Sequence, residues 1–128
     1  MARFINDSSF NVLYISSVEK TYDFYKELGA KILEKHQDKV VVKLGDFNFH
    51  FIKDSSEPFD EYLHATRKEG RGQGSLFYIE VEDLTEFYFE LKNSALGATT
   101  SIFVNNWNGE EFLLEDPDGY KLVFYKIK

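Results

Sequence analysis

The three histidines, His36, His50 and His64, are the side chains of this chain that could move protons near neutral pH, where imidazole titrates. Only His50 has a distinctive setting, the aromatic run Phe47-Asn48-Phe49-His50-Phe51. There it could make a polar contact to a ligand or act as a general base, with Glu80 as a candidate acid partner. Asp60 and His64 stand one helical turn apart and read as a solvated pair. His36 follows a strand at a turn and has no evident role. With no cysteine in the chain, thiolate nucleophiles, Cys-ligated metals and disulfides are excluded. Gly70-Arg71-Gly72-Gln73-Gly74 is glycine-rich, but no Gly-Lys-Ser/Thr follows, so it reads as a flexible linker and not a phosphate cradle.

The balance of 22 acidic against 15 basic residues gives a net charge of −7. That argues against a nucleic-acid or anionic-membrane partner, either of which needs a basic patch, and is compatible with a cationic ligand. The 13 Phe, 8 Tyr and single Trp exceed what packing usually requires; large flat side chains suit sheet faces and pocket walls. Met1 to Asp7 lacks the apolar stretch of a signal peptide and no apolar run approaches membrane-span length, so the expected location is cytoplasmic. The whole chain, 1–128, fits one domain around one core.

The elements that must position these residues repeat. Phe10–Ile15 reads as a strand, Ser16 and Glu19 have capping-box spacing, a helix follows, and Gly29 stops it. Three strands come next, over 30–34, 39–44 and 47–53, with Asp38-Lys39 and Gly45-Asp46 at hairpin turns. The order then returns: a strand over 76–81, Asp83 and Glu86 capping a helix, Gly97 ending it, and strands over 99–104, 110–115 and 120–127. Ile15 aligns with Val81, Leu13 with Ile79, and Gly29-Ala30 with Gly97-Ala98. The fold class expected is α+β, two βαβββ modules over about 8–53 and 75–128, forming curved mixed sheets around a cleft. The linker 54–74 is expected to carry a helix from Phe59 to Lys68, with Pro58 in its first turn.

The opening Val12-Leu13-Tyr14-Ile15-Ser16-Ser17-Val18, with Phe24-Tyr25 and Leu28-Gly29, resembles the start of a vicinal oxygen chelate module. The closing Glu115-Asp116-Pro117-Asp118-Gly119-Tyr120 resembles its end. The resemblance runs from Phe10 to Lys126. It is to the superfamily of glyoxalases, extradiol dioxygenases, fosfomycin-modifying enzymes and bleomycin-resistance proteins, closest in type to the metal-free bleomycin-resistance-like branch. In such metalloenzymes, His, Glu or Gln ligands stand on the first and last strands of each module. Here the resemblance places those positions at Phe10, His50, Leu76 and Val123. Zinc sites take three or four protein ligands, and the iron triad takes two His and a carboxylate. One histidine among apolar residues does not hold a divalent ion, so no metal and no cofactor are implied.

Strand alternation separates two faces. Leu13, Ile15, Phe47, Phe49, Phe51, Phe77, Ile79, Val81, Leu122 and Phe124 form an apolar set expected to pack under the helices. The other face mixes apolar and isolated polar groups, as a small-molecule pocket does. Its expected ligand-binding residues are Phe10, Val12, Tyr14, Asn48, His50, Leu76, Tyr78, Glu80, Lys121, Val123 and Tyr125. Trp107, in the loop Asn105-Asn106-Trp107-Asn108-Gly109, is placed to stack on a planar ligand at the cleft mouth. The resemblance implies a binding protein sequestering a cationic or aromatic ligand in a cleft at a homodimer interface. The alternative is an enzyme working without a conventional metal site, with His50 as acid/base.

Overall fold

The structure is a computed structural model that describes residues 2–97 and 100–127. Its elements are β1 (Asn11–Ile15), α1 (Val18–Leu28), β2 (Lys31–Lys35), β3 (Lys39–Leu44), β4 (Phe47–Lys53), β5 (Leu76–Glu80), α2 (Leu84–Lys92), β6 (Phe103–Val104), β7 (Gly109–Glu115) and β8 (Lys121–Ile127). Two four-stranded mixed sheets have the orders β1-β4-β3-β2 and β5-β8-β7-β6. In each, the first strand runs parallel to the last, and the remaining pairs are antiparallel. This is the expected α+β class: two βαβββ modules with sheets around a cleft. No helix among the described residues is long and apolar enough to cross a membrane.

The helical caps follow from local chemistry, with two departures from expectation. Ser17, not Ser16, caps α1, its side chain accepting the Lys20 N–H at 3.2 Å. Ser16 is taken elsewhere: its N–H and hydroxyl both donate to Asp118, at 3.0 and 2.8 Å. Gly29 ends α1 at φ 96°, a conformation that suits a residue without Cβ. Asp83 caps α2 as expected, accepting from the Glu86 N–H. That helix stops at Lys92 with Asn93 as its C-cap, short of Gly97. Gly97 instead donates its N–H to Leu91 O from the loop beyond; Ala98, aligned with Ala30, lies outside the described residues.

The strand expected over 99–104 is reduced to Phe103–Val104. Thr99 lies outside the described residues, while Thr100 still meets β7, where its hydroxyl accepts the Leu113 N–H at 2.9 Å. The Thr100 N–H still donates to Leu113 O at 3.2 Å, so one bond of this contact is backbone and the other runs through a side chain. The Phe59–Lys68 helix is instead a 3₁₀ segment, Asp60–Thr66, preceded by a shorter one at Asp54–Ser56.

One core joins the modules. Ile15, Phe49, Phe51, Phe77, Ile79, Leu122 and Phe124 are buried in a single cluster with both helices, and Leu13, Phe47 and Val81 pack against it. Each such large side chain contributes about 1.5–3 kcal/mol on burial. Phe77 of the second sheet meets Phe47 and Phe49 of the first edge-to-face, with centroids 5.5 and 5.0 Å apart. The helix-side faces of the two sheets therefore turn inward together. By alternation, their other faces point away from this shared core.

The junction is polar as well. Arg71, its side chain only 4% exposed, pairs with Asp118 at 2.8 Å and Asp54 at 3.3 Å. It also donates to Thr66 O at 2.5 Å and Ser16 Oγ at 3.2 Å. A Cβ at Gly72 would stand 2.2 Å from Gly119 O. The glycine-rich stretch expected to be a flexible linker is thus docked, because Arg71 and the close approach at Gly72 clamp it to the turn before β8.

Candidate functional site

The outward face of the first sheet holds two separate groups. At one end, Phe10 lies just before β1 and stacks on His50, with centroids 3.8 Å apart and planes 18° from parallel. Asn48 donates to Ser9 O at 3.4 Å, and residues 7–10 flank the ring. Burial, then nearby Lys39, lowers the His50 pKa below the ordinary imidazole value, against an opposing pull from Glu34. The ring is therefore neutral at neutral pH. No described side chain hydrogen-bonds it. Glu80, the expected acid partner, belongs to the other sheet and lies 4.0 Å from Lys126 as an exposed ion pair.

At the other end is a cavity of about 500 Å³, within the usual range for small-molecule pockets. Its floor is Val12, Tyr14 and Ile52 of the sheet. Its wall comes from the segment after β4: Glu57, Pro58, Phe59, Tyr62 and Ala65. The Tyr14 hydroxyl donates to Glu57 Oε1, while Glu57 Oε2 accepts the Phe59 N–H at 3.1 Å. Burial, then the hydrogen bond and charge of Glu57, pushes the Tyr14 phenol up to about 12, so it stays a donor. The wall residues were not legible as site residues. Phe59, Tyr62 and Leu63 at helical spacing were the available signal.

The outward face of the second sheet carries a cluster of three rings. Tyr78, Trp107 and Tyr125 lie 5.5–5.7 Å apart, pair by pair. Beneath them Glu111 is buried, accepting from the Tyr78 hydroxyl at 3.1 Å and from Asn105 Nδ2 at 3.0 Å. Burial and this carboxylate raise the Tyr78 pKa. The loop bearing Trp107 is shaped by Asn105 Oδ1, which accepts the N–H groups of Trp107 and Gly109. Glu111 and Asn105 were missed from sequence. The strand position of Glu111, opposite Tyr125 in the β7–β8 register, was the signal for the first.

The four positions of the expected metal set are dispersed. Phe10 and His50 stack on the first sheet. Leu76 is exposed on β5, and Val123 is buried on β8 opposite Tyr78. Among the described residues, no group of three His, Asp or Glu side chains could hold a metal ion. Lys121 stays near its own turn, 3.4 Å from Gly119 O and 3.9 Å from Glu115. The expected ligand-binding residues therefore fall into three places: Phe10, Asn48 and His50; Val12 and Tyr14; and the second-sheet group around Tyr78.

Solved structures share this architecture. A hypothetical protein from S. aureus superposes with a TM-score of 0.75 at 19% identity, over 96% of this chain and 94% of that one. A glyoxalase/bleomycin resistance protein/dioxygenase from Nocardioides gives 0.76 at 14% identity, over 98% and 84%. A bleomycin resistance determinant encoded on the transposon Tn5 gives 0.65 at 21% identity, over 96% and 99%. No curated protein is similar enough to count as a match. The family model of the glyoxalases matches residues 9–124, which takes in both modules, the junction and both outward faces. The chain belongs to the Glyoxalase/Bleomycin resistance protein/Dioxygenase superfamily.

Proposed function

We propose that the protein binds a small molecule without a metal, sequestering a cationic or aromatic ligand as a bleomycin-resistance-type protein would. The carrying observation is that three of the four superfamily metal positions are Phe10, Leu76 and Val123, which have no donor atom. The ring cluster of the second sheet offers stacking surface, and the acidic chain favours a cation. Because both outward faces point away from the shared core, we take a cleft using both to need a second copy. In this reading the first-sheet face of one protomer meets the second-sheet face of its partner, giving a symmetric dimer with two equivalent clefts.

Calorimetry with a bleomycin-type compound, with and without a strong chelator, tests this. Binding at one ligand per cleft, unchanged by the chelator, is expected. No heat at high concentration removes the drug-specific form, and stoichiometric metal in the purified protein overturns the metal-free one. Sedimentation should show a dimer at the same concentrations. His50→Ala should alter affinity alone. Lost turnover with retained affinity for some substrate would instead make His50 catalytic.

A further inference from the structure

From the cavity between β4 and the segment after it, we infer that the first-sheet face takes a protonated primary amine carried on a small apolar body, held at Glu57. This rests on the reading that the face is a small-molecule site, and it names the ligand class.

The side chains lining the cavity are apolar except for Glu57 and the hydroxyls of Tyr14 and Tyr62. Glu57 contributes the one carboxylate of an otherwise apolar lining, where a cationic ligand group would find an acceptor. Among the described residues no Lys, Arg or His lies within ion-pair distance of Glu57. Among the described residues it accepts two hydrogen bonds, from Tyr14 and from the Phe59 N–H, which use about half of the roughly four acceptor sites of a carboxylate. The remaining lone pairs can accept N–H donors from a ligand. Tyr14 fixes the carboxylate from the sheet side and remains protonated, because its pKa is displaced upward.

The rings around it fit the same ligand. Phe59 and Tyr62 stand edge-to-face with centroids 6.2 Å apart, yet are 58% and 54% exposed. Core packing does not account for them. An ammonium group at Glu57 would lie beside these rings and the Tyr14 ring, where cation–π attraction adds to the ion pair. The apolar body would rest on Val12 and Ile52. An anionic ligand would meet Glu57 with like charge, and a neutral one would leave it unpaired.

Titration with 2-phenylethylamine at pH 7, followed by NMR at the Ala65 and Ile52 methyl groups, tests the inference. Neutral 2-phenylethanol and anionic phenylacetate serve as matched probes. The amine should shift both methyls saturably, with the alcohol about tenfold weaker and the carboxylate weaker still. Glu57→Gln, at a half-exposed position, should bring the amine down to the level of the alcohol, removing the preference of the parent protein for the amine. Equal binding of amine and alcohol, or undiminished amine binding by Glu57→Gln, overturns the inference but keeps the face as a small-molecule site. If none of the three probes shifts either methyl, both fall.

Discussion

The two modules repeat one strand plan but present different outward faces, and the difference lies in their connections. In the first module the β2–β3 connection is a tight turn, and the sheet is walled by the segment after β4, leaving a cavity. In the second, the β6–β7 loop folds Trp107 onto Tyr78 and Tyr125, filling the equivalent space with rings over Glu111. The β3–β4 and β7–β8 turns also differ. Gly45-Asp46 is short and packs by shape, a Cβ at Gly45 falling 3.1 Å from Ile79. The longer turn at 116–120 binds α1 and β1 through polar groups: Tyr25 donates to Asp116, Ser16 to Asp118, and the Tyr120 hydroxyl to Tyr14 O. Duplication thus supplies the frame, and the unequal connections turn it into one hollow face and one stacked face.

The largest effect should come from cutting what holds the frame together. Arg71→Met leaves Asp118 and Asp54 without their shared cation at a nearly sealed site. Breaking such a pair costs about 3–5 kcal/mol, readable as a lower midpoint in urea unfolding. A loss under about 1 kcal/mol would mean that the linker is not clamped and that the cavity wall is set by other contacts.

Next in size is a pH effect at the same junction. Burial is the main cause raising the Asp116 pKa from 3.8 to about 6, partly offset by hydrogen bonds from Tyr25, Tyr120 and Asp118. A carboxyl with a raised folded pKa favours folding when protonated. Its contribution is full below about pH 4, falls as pH rises through about 6, and is level above that. The whole span is at most about 3 kcal/mol. Asp116→Asn should flatten the stability profile across that window and raise stability at pH 7, as measured by urea unfolding at several pH values. An unchanged profile would place the titration elsewhere.

The frame was largely legible in the sequence because burial in strands obeys a period of two, and the repeat tests each assignment twice. All ten residues of the apolar set are in or against the core. The outward faces were legible only where strands supply them. Tyr14 and Tyr78 followed from alternation, but Glu57, Arg71 and Asn105 act from connections, where no period applies. Ser16 shows the limit clearly: its capping-box spacing is satisfied, yet a carboxylate 102 residues along the chain takes both its donors. Local rules rank local partners and cannot weigh a distant one.

A smaller loss should sharpen the contrast on the stacked side. Asn105→Ala removes the acceptor for the Trp107 and Gly109 N–H groups and one donor to buried Glu111. Losing these should lower stability by about 1–2 kcal/mol. Because Trp107 is the only tryptophan, its emission should shift to the red as the loop leaves the Tyr78 and Tyr125 rings. Weaker binding of 2-phenylethylamine would show that the partner's ring cluster lines the same cleft, as the proposed dimer requires. Unchanged binding would show that the cavity of one protomer holds the amine alone.

The smallest effect should appear on the hollow side, at the stacked pair. Phe10→Ala removes the ring over His50 at a cost of about 1 kcal/mol. It also opens the imidazole to water. Since burial is the first cause of the lowered His50 pKa, the variant's pKa should rise toward 6.5, visible by NMR titration of the ring protons. The linkage has the opposite sign to that of Asp116. A histidine with a lowered folded pKa stabilises the fold above about pH 6.5, and that contribution is lost as pH falls through the folded value. Phe10→Ala should therefore weaken the acid-side loss while leaving the Asp116 window unchanged. If the His50 pKa does not move, Lys39, and not the Phe10 cover, sets its charge. The first face would then be more open at this end than the stacking implies.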